Sequence, residues 1–119
     1  MADRKLENLQ IWIDSRIFVV SIYDMMSTCK DYGFKDQIQR ASVSIMNNIA
    51  EGFESGSDAL FIRYLKISKG SCSEVKSMLY LCEDLHYCSQ PTRLQLHESL
   101  LSLTNRIYKL ITYLEQKQK

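Results

Sequence analysis

The side chains able to do chemistry in this sequence gather in two stretches. In the first, Arg40, Ser44, Asn47, Asn48 and Glu51 recur at i, i+4, i+7, i+8 and i+11, so on a helix they form one polar strip beside an apolar one. In the second, Ser71 and Glu74 follow Gly70, a glycine inside a helical pattern. Such a glycine costs about 1 kcal/mol relative to alanine, a cost accepted where backbones approach closely. Buried polar groups are costly unless paired. The strip is therefore expected to face the Gly70-Ser71-Glu74 surface, in the same chain or on a neighbouring copy. Arg40 would pair with Glu74 or Glu51, and the amides would satisfy otherwise orphaned groups.

Four sharper chemistries compete with that structural seam. Glu51 and Glu74 could act as a general acid and base, but no histidine, metal motif or glycine-rich phosphate loop accompanies them, so the expectation is no enzyme. Cys82 and His86 are spaced to share a helical face, with Cys88 following in a turn. A closed zinc site needs a fourth ligand, for which His97 is one possibility, and the expectation is no metal and no cofactor. Cys29 has no base motif beside it, and the four cysteines, without a C-x-x-C pair, read as reduced, mostly buried thiols. The fourth chemistry is phosphate binding. Arg63, Lys66 and Lys69 step by three residues and drift only about 60° per step, forming a basic arc on one helix. Lys76 extends it, and Glu74 is the lone acid between residues 60 and 82.

Positioning these groups requires helices. Leu6, Leu9, Ile13, Ile17, Val20 and Asp24 step by three or four through a first helix expected over 6–29, which Tyr32-Gly33 would stop. A second, over 34–53, carries Phe34, Ile38, Ala41, Ile45, Ile49 and Phe53 on one stripe. The polar ESGSDA connection follows, with Ser57 or Asp58 as a cap. The third helix, over 59–85, places Phe61, Tyr64, Leu65, Ser68, Cys72, Val75, Leu79 and Cys82 inward. Ser89 caps the fourth, over 90–116, with Pro91 in its first turn and Leu94, Leu101, Ile107, Leu110, Ile111 and Leu114 inward. Short connections favour antiparallel neighbours, so the expected fold is an all-α, up-down-up-down four-helix bundle forming one domain over 1–119.

Composition sets the remaining bounds. Fifteen Lys plus Arg against fourteen Asp plus Glu give a net charge of +1, too little to attract nucleic acid or an anionic membrane except through a local patch. No apolar run approaches the roughly 20 residues that span a bilayer and the start has no signal-peptide core, so a cytoplasmic location without membrane contact is expected. Seven tyrosines, with Trp12 between Ile11 and Ile13, exceed what one four-helix core can hold. Aromatic residues left at a surface mark interfaces, and the surplus predicts self-association.

QIQRASVSIMNNIAEGF at 37–53 and FIRYLKISKGSCSEV at 61–75 together resemble the paired signature of the four-helix-bundle proteins encoded by intervening sequences in bacterial 23S ribosomal RNA genes. The N-I-A-E-G block falls on Asn48, Ile49, Ala50, Glu51 and Gly52, and the G-S-x-x-E block on Gly70, Ser71 and Glu74. The resemblance implies an antiparallel bundle assembled as a ring-shaped homopentamer, with no attached enzymatic activity. A related branch, the accessory proteins of diversity-generating retroelements, binds nucleic acid and a reverse transcriptase through a strongly basic ring, from which this chain departs in its near-neutral charge. Two functions follow as expectations: a homo-oligomeric interaction scaffold, or a weak, sequence-independent binder of RNA or DNA, associated with ribosomal RNA or a reverse transcriptase, through Arg63, Lys66, Lys69 and Lys76.

Overall fold

The computed structural model describes residues 4–118, and among them are four long helices and no strand. The helices are α1 (Gln10–Met25), α2 (Tyr32–Glu54), α3 (Asp58–Asp84) and α4 (Gln90–Lys117), preceded by one turn of tighter helix at Leu6–Asn8. Each packs on its two neighbours in the cycle α1, α2, α3, α4, and no diagonal pair brings its Cα atoms within 8 Å. With short connections at 26–31, 55–57 and 85–89, that arrangement is the up-down-up-down bundle. Its long axis extends 47 Å against 24 and 23 Å across.

Local chemistry sets the helix ends. Asp31, Ser57 and Ser89 each turn a side-chain oxygen to a backbone N–H three residues on, at 3.3 Å to Phe34, Leu60 and Thr92. An N-cap of this kind satisfies one of the orphan donors of a first turn. The cap at Asp31 corrects the expected boundary: α1 ends at Met25, α2 begins at Tyr32, and Gly33 lies inside its first turn instead of closing the helix before it. Gly56, at φ +75°, turns the chain between α2 and α3. At the end of α3 the His86 N–H reaches the Glu83 carbonyl at 3.0 Å and the Tyr87 N–H reaches Cys82 at 2.8 Å. This is a Schellman closure with His86 in the left-handed position, φ 63°.

The core is apolar and closely filled by side chains such as Ile22, Ile38, Ile45, Leu65, Leu79 and Ile107, all fully buried. On α2 and α3 the inward residues include most of the expected stripes, with Phe34, Phe53 and Tyr64 half-buried. Two rows differ. On α1 the inward row is Ile11, Ser15, Phe18 and Ile22, while Ile17 and Val20 are 60% and 56% exposed. Both rows have helical spacing, and only the shape of the other three helices chooses between them. On α4, Leu96, Leu100 and Leu103 face the core whereas Leu94 and Leu101 point out.

The close-approach glycine is Gly52, not Gly70. A Cβ on Gly52 would lie 2.8 Å from Phe61 Cδ1 and 3.0 Å from Tyr64 Cβ, where α2 and α3 converge on their shared turn. A Cβ on Gly70 would meet nothing within 4 Å.

Candidate interaction surfaces

The polar strip of α2 divides into a joined part and a solvated part. Ser44 Oγ and Ser71 Oγ meet at 2.8 Å across the α2/α3 contact, and Asn48 Nδ2 donates to the Ser44 carbonyl at 2.9 Å and to its Oγ at 3.0 Å. One layer deeper, the buried Ser68 hydroxyl donates to the Ile45 carbonyl at 2.8 Å. Arg40 pairs neither with Glu74 nor with Glu51. Its guanidinium donates to Asp36 one turn back on the same helix, at 2.8 Å, with both side chains mostly in solvent. Asn47 and Glu51 are exposed, and Glu74 accepts from Gln37 at 3.4 Å on the rim. An exposed guanidinium is better served by a near carboxylate on its own helix than by one across a seam.

Three of the four expected cations, Lys66, Lys69 and Lys76, line the groove between α3 and α4, but two of these are engaged there. Lys66 pairs with Glu115 at 3.2 Å, and the Lys69 ammonium rests 4.9 Å from the centre of the Tyr108 ring. Arg63 and Lys76 are exposed. The groove holds two hollows of about 440 and 330 Å³ that meet at Ser73. Gly70 belongs to the first, so its missing side chain leaves room in the groove rather than admitting another backbone. Along its α4 edge, Leu94, Leu101 and Tyr108 stand seven residues apart, each more than half exposed.

At the upper end of the groove lies a cluster that residue spacing did not single out. Arg93 is ion-paired with Glu83, its Nη1 donates to His97 Nδ1 at 3.0 Å, and its guanidinium lies 5.0 Å from the Tyr80 ring centre. His97 Nε2 faces the Lys76 carbonyl at 3.0 Å and must donate, which fixes the tautomer that leaves Nδ1 as acceptor. The Tyr80 and His97 rings are 4.4 Å apart. A signal was present: Glu83 and Arg93 lie five residues either side of Cys88 in the turn, so an antiparallel hairpin must bring them together.

At the same end of the bundle, the Tyr87 hydroxyl donates to Asp31 Oδ2 at 2.6 Å, and Phe34 meets the Tyr87 ring edge-on at 5.3 Å. The bond to Tyr87, then that to the Phe34 N–H, holds the Asp31 carboxyl below its ordinary value, and the same carboxylate pushes Tyr87 up to about 12. Burial pushes the Cys72 thiol up to about 11 and Cys82 to about 12, the direction that makes a thiol inert. Among the described residues no three His, Cys, Asp or Glu side chains converge in a way that could hold a metal ion. No helix among them is long and apolar enough to cross a membrane.

The family model for 23S rRNA-intervening sequence proteins matches residues 7–113. The chain belongs to that family. Among curated proteins no relative matches. Among solved structures, a 1.70 Å crystal structure of a protein of unknown function from the S23 ribosomal protein family of Bacteroides thetaiotaomicron superposes with a TM-score of 0.79. It is 24% identical and covers 85% of this chain and 97% of its own, a likeness of fold. For this family member, the sharp Gly52 contact and the Ser44, Asn48 and Ser71 bonds all fall within or beside the two signature blocks and join α2 to α3.

Proposed function

We propose that this protein is a non-enzymatic, homo-oligomeric interaction scaffold. The observation that carries the reading is a set of large apolar side chains, more than half exposed, on separate faces of one small bundle: Ile17 and Val20 on α1, and Leu94, Leu101 and Tyr108 on α4. Scattered surface leucines are ordinary, but rows of them at a fixed helical repeat mark surfaces that another helix covers. Because the two rows lie on different helices and different faces, one copy would present one row to the other row of the next. Heterologous contacts of that sort close into rings, and the family resemblance suggests five members.

The polar groups that meet in the bundle support the same reading. Ser44 with Ser71, Ser68 with the Ile45 carbonyl, and Arg93 with Glu83 are bonds that hold helices together. Nucleic-acid binding draws less support, since Lys66 and Lys69 are already engaged by Glu115 and Tyr108. Light scattering on the purified chain tests the scaffold: a single closed oligomer at tens of micromolar is expected, and a monomer there would remove the reading.

A further inference from the structure

We infer that the outward crest of α1 on one copy lies in the α3/α4 groove of the next, an inference that rests on the homo-oligomer reading above. The crest is the row Ile13, Ile17, Val20 and Asp24, spaced i, i+4, i+7 and i+11, so it forms one ridge along the helix. It points away from the chain's own core: Ile17 and Val20 are largely exposed, and Asp24 is exposed at the ridge's end. The groove repeats at the same interval. Leu94, Leu101 and Tyr108 are seven residues apart, as are Ile13 and Val20, and helices packed ridge into groove at a shallow angle keep this register over two turns and more.

Charge selects this groove among the exposed apolar rows. On the other side of α3, Leu60, Ile67 and Leu81 also stand out, but Glu74 interrupts their row and would be set against the acidic end of the crest. The α3/α4 groove offers the opposite sign. Lys69 is held there only by the Tyr108 ring, and the Lys76 ammonium has no ion-pair partner among the described residues. Its bordering carboxylate, Glu115, is already taken by Lys66. Asp24 likewise has no ion-pair partner in its own chain among the described residues, so docking would pair it with Lys76 while the crest covers Leu101 and Tyr108. Gly70 then has a use that close packing inside the chain does not give it. The space beside it, about 440 Å³, receives an incoming aliphatic side chain. The cationic arc of α3 is in this arrangement an interface element, turned to the neighbouring subunit.

The test is size-exclusion chromatography with light scattering on the full chain, with circular dichroism on each variant. Val20→Asp and Leu101→Asp should each reduce the particle to the mass of one chain while the helical signal is kept, both positions being exposed in the single bundle. Lys76→Glu should raise the protein concentration needed for assembly by about tenfold or more, and adding Asp24→Lys to it should restore assembly toward that of the parent. A parent that is monomeric overturns the oligomer reading and this inference with it. A parent oligomer whose mass neither aspartate substitution changes overturns the docking alone, and so does a double charge reversal that assembles no better than Lys76→Glu.

Discussion

His86 is the one described residue other than glycine with a positive φ, and it occupies the position where a helix-closing glycine ordinarily sits. An L side chain there costs about 1 kcal/mol through contact between its Cβ and the following carbonyl. His86→Gly should therefore raise stability by about that amount in urea denaturation, and an unchanged midpoint would mean that the imidazole offsets the strain. The next residue carries a pH signature. Asp31 is ionised below its ordinary range, so the stability it contributes is complete above its ordinary 3.8 and is lost as pH falls through and below that value. Tyr87 is raised from 10 to about 12, so its contribution is complete below 10 and is lost as pH rises toward 12. One bond thus shapes both the acid and the alkaline limb. Thermal melts of Tyr87→Phe across pH should show a shallower acid limb and no alkaline loss assignable to this hydroxyl.

At the scale of the elements, α2 and α3 form the tightest pair because Gly52 allows them to converge before their shared turn. Gly52→Ala would push a methyl group into Phe61 and the Tyr64 Cβ, one of them backbone-anchored, and overpacking of this kind costs about 1–3 kcal/mol. Gly70→Ala should have the opposite sign. Its site is open, the helix interior gains about 0.5–1 kcal/mol from alanine, and the chain loses freedom only in its unfolded state. Chemical denaturation of the two variants side by side checks the assignment. Equal losses would mean that Gly70 also serves a backbone approach within the chain. Should the docking above hold, Gly70→Ala would additionally weaken assembly while stabilising the single bundle.

The whole molecule is a rod 47 Å long whose core is satisfied: no buried side-chain nitrogen or oxygen among the described residues lacks a partner. Its apolar surplus lies outside, on α1, α3 and α4. If copies cover these rows, folding and association are linked by mass action, and the midpoint of thermal unfolding should rise with protein concentration, by roughly 3–6 °C for each tenfold increase. Scanning calorimetry at several concentrations measures it. Leu101→Asp should remove the dependence, and a parent with a concentration-independent midpoint would count against an assembly that contributes to stability.

Helix number, helix order, the cap at Ser89 and a cap at Ser57 or Asp58 were legible in the sequence because they are local. A 3.6-residue apolar period, a hydroxyl before it and a proline in the first turn each act within a few residues. Of the α2 strip, the meeting of Ser44 with Ser71 was legible for the same reason, since a short turn fixes which residues of two antiparallel helices meet. What the sequence left open was every choice between equivalent alternatives. Helix α1 carries two apolar rows of equal spacing, and α4 carries leucines at 94, 96, 100, 101 and 103. Arg40 had acidic candidates within reach on two helices, and Gly52 and Gly70 were both glycines in a helix. Periodicity assigns such residues to a helix but not to a side of it. The side is decided by the volume the other three helices leave to be filled, a property of the assembled bundle that buried Phe18 and Ile22 and left Ile17 and Val20 facing outward.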